Sequence, residues 1–334
     1  MEEYLLQLIK TLPKEYTPDD IQHIQEGYRF ASEAHAGQTR LNGAPFISHS
    51  VSTAELLIQW KLPPAIIVAG LLHDIPEDTH FTIQDIERVF GKDIASIVEG
   101  ETKLDRLKYH GTERYAENLR KMFLAIATDV RVIFVKFADR IHNLKTLEGM
   151  PELKQKRIAL ETLEIYAPIA NRLGMGAIRG ELEDLAFKYV YPTEYEWALE
   201  ILVDRAPKKE EYLEQVKTIL QDDLEKNQIK AASIHGRVKR LYSLYKKLLE
   251  KDRDISKVYD LVAERIIVPS VQDCYAALGV LHARWRPLKG RIKDYIAQPK
   301  PNGYQSLHTT VFCKDGEIVE FQIRTQQMHE EAEF

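Results

Sequence analysis

The apolar run Ala65–Leu72 ends in His73-Asp74 and, after Ile75-Pro76, in Glu77-Asp78. Imidazole and carboxylates at the end of a buried segment are costly unless a cation sits among them. His49 upstream and Asp139 downstream complete a His2Asp2 set. Neutral His and ionised Asp are ordinary ligands for Mn, Fe or Zn, and four of them leave positions open for water and substrate. A divalent ion lowers the pKa of water towards ~7, and Glu77 and Asp78 are then placed to orient or deprotonate that water. Pro76 disfavours helix at Ile75 and interrupts the hydrogen-bond ladder, so no one-turn spacing is assigned between His73 and Glu77. Asp139 and Asn143, four apart on Val135–Leu147, share a helix face, where one ligates metal while the other holds substrate. A lone His-Asp pair is more often structural, and Asp139 has Lys136 and Arg140 as ordinary ion-pair partners. The whole set in an apolar helical frame favours the metal.

A second group of candidates lies beyond residue 230. His235-Gly-Arg-Val-Lys-Arg predicts a helix start carrying Arg237 and Lys239, where the helix N-terminus and the charged side chains both favour phosphate. Arg291, Lys293 and Lys300 surround Tyr304 and His308, an arrangement that stacks a base and holds its phosphates. In Glu317–Ile323, alternation places Glu320, Gln322 and Arg324 on one face and Val319, Phe321 and Ile323 on the other. Glu320 is a candidate general base or metal ligand, and Asp260 a candidate Mg2+ ligand. Either acid alone reads as a surface salt bridge. Tyr242 and Tyr245 read as packing residues.

These residues need elements to position them. From Pro18 to about Tyr189 the spacing is helical, with apolar period 3.6 in Ile21–Ala36, Val51–Trp60, Ile83–Phe90, Leu119–Thr128 and Ile158–Ala170. Gly37, Gly43, Pro63-Pro64, Gly91 and Gly111 punctuate it. Thr82-Ile-Gln-Asp85 has the form of a capping box. Val258–Val268 is rich in β-branched residues and reads as a strand, Asp273–Trp285 as a helix, and Thr309–Cys313 with Glu317–Ile323 as a hairpin about Lys314-Asp315-Gly316. An all-helical first domain is therefore followed by an α+β domain with an antiparallel or mixed sheet.

With 334 residues the chain suits two domains, and its hydrophobic (44%) and charged (29%) fractions are those of a folded protein. Only Cys274 and Cys313 occur, which excludes a disulfide framework and favours a reducing cytoplasm. The start Met1-Glu-Glu-Tyr lacks a basic signal-peptide region, and no apolar run approaches the ~20 residues that span a bilayer. The net charge is −5, yet residues 230–253 hold eight Lys or Arg against two acids, and 284–300 hold six against Asp294. Local basic patches on an acidic chain suit a small polyanion better than long duplex nucleic acid.

His49, Gly70-Leu-Leu-His-Asp-Ile-Pro-Glu-Asp-Thr79 and Lys136-Phe-Ala-Asp-Arg-Ile-His-Asn143 together resemble the HD-type hydrolase domain of the Rel/SpoT homologue family. Tyr259-Asp-Leu-Val-Ala-Glu-Arg265, Gly290-Arg-Ile-Lys-Asp-Tyr-Ile-Ala, Pro299-Lys-Pro-Asn-Gly-Tyr-Gln-Ser-Leu-His-Thr309 and Glu320-Phe-Gln-Ile-Arg-Thr325 resemble its nucleotidyltransferase-like synthetase domain. The resemblance implies a bifunctional enzyme. One half removes the 3′-pyrophosphate of ppGpp and pppGpp with Mn2+; the other moves the β,γ-pyrophosphate of ATP to the 3′-OH of GDP or GTP with Mg2+. It implies His49, His73, Asp74 and Asp139 as metal ligands, Glu77 and Asp78 at the attacking water, and Arg40 and Asn143 on the nucleotide. In the second half it implies Asp260 on Mg2+, Glu320 activating the 3′-OH, Tyr304 stacking on guanine with Asn302 and His308 nearby, and Arg237, Lys239, Lys293 and Lys300 on phosphates. Arg291-Ile-Lys-Asp294 matches the basic loop of bifunctional members, whereas Leu41 follows Arg40 where the family often has Lys. The expected layout is a hydrolase at 1–155, a helical connector at 156–195 and a synthetase at 196–334, as the catalytic part of a longer cytoplasmic protein. Contacts with ribosome or tRNA would fall to regulatory domains outside this sequence, and none with membrane is expected. The alternatives are a hydrolase whose second half only senses nucleotides, and an RNA-binding module.

Overall fold

The computed structural model describes residues 2–41, 43–105, 128–231, 233–258 and 261–333. The chain divides into two compact units, Met1–Glu161 and Thr162–Phe334, and this boundary falls inside the stretch expected as a connector. The expected helix over Leu119–Thr128, except its last residue, and the Gly111 break lie outside the described residues.

In the first unit the described elements are α1 (Glu2–Thr11), α2 (Pro18–Ala34), α3 (Ile47–Gln59), α4 (Pro64–Leu72), α5 (Ile75–Asp78), α6 (Ile83–Asp105), α7 (Arg131–Lys145) and α8 (Glu152–Glu161). Reciprocal bonds between Thr17 and Asp20 start α2 behind Pro18. The Thr82–Asp85 box starts α6 in the same way. Gly91, at φ 82°, kinks α6 where the sequence predicts its first segment to end. Helix α4 is apolar on all sides and sits against α2, α3, α6 and α7. Two glycines permit this: a Cβ on Gly27 would lie 3.0 Å from Val68, and one on Gly70 would collide with Leu57 of α3.

The second unit contains α9 (Ala167–Arg172), α10 (Gly176–Val190), α11 (Pro192–Lys226), α12 (Leu241–Glu250), α13 (Val271–Arg284) and α14 (Gln326–Glu333) around a sheet. The strands are β1 (Ser233–Val238), β2 (Val262–Val268), β3 (Arg286–Pro287), β4 (Lys293–Asp294), β5 (Leu307–Phe312) and β6 (Ile318–Thr325). Their order is β1-β2-β6-β5-β3, with β4 on β5. The β2–β6 pair is parallel and the others antiparallel, so the sheet is mixed. The alternation expected in β6 holds, with Val319, Phe321 and Ile323 buried in the core and Trp285 stacked on Phe321.

Two expectations are corrected. Arg237 lies within β1 and Lys239 just after it, while α12 begins only at Leu241. Backbone pairing with β2, through Arg237↔Ala263, claims residues that local charge made look like a helix start. The strand expected from Val258 begins at Val262, behind a tight turn at Ile255–Lys257.

Glu264 is a buried exception on the core face of β2, in register with Phe321 and beneath α11. Burial pushes its carboxyl up to about 7, with Lys217 opposing and Glu214 adding to the shift. The folded protein therefore binds this proton more tightly than the unfolded chain, and stability falls as pH rises from the ordinary glutamate range through about 7. Glu264→Gln is expected to raise stability above pH 7 by up to ~3 kcal/mol. It should also flatten the fall in urea midpoint between pH 5 and 8; an unchanged slope would exclude Glu264 as its source.

Candidate functional site: a metal centre and a cation-rimmed cavity

Helices α3, α4 and α7 bring His49, His73, Asp74 and Asp139 together. His49 Nε2 lies 3.2 Å from Asp74 Oδ2 and 3.3 Å from Asp139 Oδ1. His73 Nε2 lies 3.2 Å from Asp74 Oδ1 and 3.8 Å from Asp139 Oδ1. Bonds of ~2.0–2.2 Å to one divalent ion would set neighbouring ligand atoms roughly 3–3.5 Å apart, which the first three of these distances match, whereas His73–Asp139 at 3.8 Å is wider. The donor atoms of His49, His73 and Asp74 all fall within 4.8 Å of one another.

The imidazoles are oriented for ligation. His73 Nδ1 must donate to the Gly70 carbonyl at 2.8 Å, because a carbonyl only accepts. That points Nε2, a buried atom without a hydrogen-bond partner among the described residues, at the centre, where a metal would take the place of its proton. His49 Nδ1 is 2.6 Å from His142 Nδ1. Burial, His49 and Arg40 push His142 down to about 3, so it is neutral and can accept from His49. The donors, the orphaned Nε2 and these spacings fit a metal.

Electrostatics agree. Burial opposes ionisation of Asp74, yet His73 and His49 hold it at about 2. Asp139 is likewise buried, and Lys136, His49 and His73 hold it well below the ordinary range. Burial opposes charge on His73, but Asp74, Asp139 and Glu101 keep its pKa well above normal. The cluster is built to favour positive charge at its centre.

A cavity of about 630 Å³ opens onto the centre and is bordered by Arg40, Glu77, Asp78, Asn143, Thr146 and Lys154. The ladder breaks near Pro76 as expected, with α4 ending at Leu72, but Ile75 is itself helical. Helix α5 restarts there, and Pro76 in its first turn gives up an N–H that would have no partner anyway. Glu77 and Asp78 are exposed at the cavity. Arg40 Nη2 donates to Asn143 Oδ1 at 3.0 Å, and Asn143 Nδ2 donates to Asp139 Oδ1 at 2.5 Å. Of the nucleotide candidates, Asn143 is thus one hydrogen bond from Asp139 and Arg40 two.

In the second unit a cavity of about 650 Å³ is bordered by Lys239, Lys300, Asn302, Tyr304, His308 and Glu320. Tyr304 Oη is 2.8 Å from His308 Nε2, and His308 Nδ1 is 3.5 Å from Glu320 Oε1. The Lys300 ammonium lies 5.0 Å from the Tyr304 ring centre and 4.7 Å from that of Tyr295. Arg291 and Lys293 are exposed and do not border this cavity, although Lys293 of β4 is paired with His308. Asp260 and the Arg237 side chain lie outside the described residues. Asn302 donates to the Asn171 carbonyl at 3.0 Å and accepts from Tyr304 N at 3.3 Å, so it braces its loop.

Sequence reasoning missed His142, Arg172 and Arg179. His142 had a signal, lying three residues after Asp139 on one helix. Arg172 and Arg179 reach the second cavity from the α9–α10 turn, more than a hundred residues before Tyr304, and spacing alone cannot show that.

A helical, metal-ready domain followed by an α+β domain with a cation-rimmed cavity defines a two-part protein, and two family models match the chain in that order, the first running past the boundary at Glu161. Residues 27–176 match the HD domain model, and residues 236–334 match the region found in RelA/SpoT proteins. The chain is 46% identical over 332 residues to a GTP pyrophosphokinase of Streptomyces coelicolor, covering 99% of this chain and 39% of that protein. It is 47% identical to a probable guanosine-3′,5′-bis(diphosphate) 3′-pyrophosphohydrolase of Synechocystis, covering 93% and 41%. It is 43% identical to the bifunctional (p)ppGpp synthase/hydrolase SpoT of Escherichia coli, covering 99% and 47%. The chain belongs to the RelA/SpoT family. It spans less than half the length of these relatives. The HD domain implies divalent-metal binding, and His49, His73 and Asp74 could hold the ion. Among the described residues no helix is long and apolar enough to cross a membrane.

His142→Ala removes the acceptor that orients His49. Its affinity for Mn2+ in a calorimetric titration is expected to fall roughly ten- to a hundredfold, with the fold retained by circular dichroism. Unchanged affinity would remove His142 from the centre's support.

Proposed function

We propose that the first unit hydrolyses the 3′-pyrophosphate of (p)ppGpp and that the second transfers the β,γ-pyrophosphate of ATP to the 3′-OH of GDP or GTP. The convergence of two imidazoles and two carboxylates beside a nucleotide-sized cavity carries the first half of this reading. Mn2+ held there would supply Lewis acidity and an acidified water. Glu77 and Asp78, at the mouth, take the proton. Arg40 and Asn143 anchor the nucleotide, and Lys154 adds a cation on the same wall.

The second half rests on Glu320. It projects from the polar face of β6 into a cavity that also holds Lys239, Lys300, Tyr304 and His308. A carboxylate there accepts the 3′-hydroxyl proton, His308 orients that carboxylate, the Tyr304 face carries guanine, and the cations hold phosphates. Mg2+ on Asp260 is assigned by family resemblance alone. A concave site combining a carboxylate with cations supports a small nucleotide over a long RNA. These nucleotides belong to the cytoplasm, where we place the protein.

The test incubates the protein with ATP, GDP and Mg2+, and separately with ppGpp and Mn2+, and separates products by anion exchange. Glu320→Gln is expected to lower synthesis by at least ~100-fold and spare hydrolysis. His73→Ala should do the reverse. Synthesis unaffected by Glu320→Gln would reduce the second unit to a nucleotide sensor. Loss of both activities in His73→Ala would refute the assignment of separate sites.

A further inference from the structure

Glu264 has no role in either site, yet it is almost wholly buried, and neither carboxylate oxygen has a hydrogen-bond partner among the described residues. Such a carboxyl is costly to keep. It faces a cavity of about 450 Å³ between α11 and the β1–β2 edge of the sheet. The space exists because β1 sets Gly236 opposite Glu264. Pro207 and Leu213 add apolar surface, and Glu210, Glu211 and Glu214 complete the lining. No lysine or arginine lines it among the described residues. Lys217 is nearby, but its ammonium is held by both Glu214 oxygens at 3.2 and 3.1 Å.

The ligand must be cationic. A bare divalent ion fits poorly, since among the described residues only His49, His73 and Asp74 bring three ligand atoms within coordinating reach. The acids here are strung from a buried floor to an exposed rim, with apolar surface between. That pattern matches ammonium groups separated by methylenes. We propose that this cavity binds a linear aliphatic diamine or polyamine, one ammonium on Glu264 and the next among Glu210, Glu211 and Glu214.

Calorimetric titration of the whole chain with spermidine, and with 1,4-diaminobutane, tests this. The matched control is MgCl2 at equal ionic strength. Spermidine is expected to bind saturably, and Glu264→Gln to weaken it at least tenfold while the variant still melts cooperatively. Because Glu264 sits near about 7, an ammonium on it should expel a proton. At pH 6.5 the heat should therefore change with the ionisation enthalpy of the buffer, and Glu264→Gln should lose that dependence. Binding unchanged in the variant, an equal effect of MgCl2, or no saturable heat would each overturn the proposal.

Discussion

Asp139 is buried and ionised, and it can be so because each oxygen faces a cation or a donor. Oδ1 faces His49 and accepts from Asn143, while Oδ2 accepts from Lys136 at 3.1 Å. Lys136 is itself buried and also donates to Glu101 of α6 at 3.1 Å. Removing one member of such a buried set costs about 3–5 kcal/mol, because the others are left charged in a poor dielectric. The requirement fixes α3, α4, α6 and α7 against one another. Gly70 serves it twice: its carbonyl orients His73, and its missing side chain lets α3, carrying His49, approach α4.

The second unit manages the same cost by direction. On the parallel pair β2–β6, successive residues face opposite sides, so Glu320 opens on the polar cavity while Glu264, in register with Phe321, enters the core. Glu320 meets Gln322 and His308 there. Among the described residues Glu264 meets no such donor. One strand pair thus carries a supported carboxylate on one face and an unsupported one on the other, and only the first resembles a catalytic group.

Much of this was legible from the chain. Helical periodicity and the capping box at Thr82 are local, and an apolar run ending in His73-Asp74 declares its own burial. The β6 alternation was equally plain, because period 2 needs no knowledge of a partner strand. The strand β1 was hidden: His235, Gly236 and Arg237 have no marked strand preference, and their conformation comes from pairing with β2. Arg291 and Lys293 share the local charge of the loop without bordering its cavity. Whether a basic residue faces a cavity depends on how its strand lies, which composition does not encode.

Asn302 shows the limit most clearly. Its neighbours Lys300 and Tyr304 make it look like a base-reading residue, yet both ends of its amide are engaged within the protein. Its Nδ2 reaches the Asn171 carbonyl, and Arg179 donates to the Asn171 side chain at 2.8 Å. A Cβ on Gly174, at φ 82°, would come within 3.1 Å of the Asn302 carbonyl. The turn between α9 and α10 therefore sets the height of the loop that presents Tyr304. A glycine and a backbone carbonyl far upstream position the aromatic ring, and neither advertises that task in the chain. Geometry at the cavity is thus held by contacts whose residue types carry no chemistry of their own.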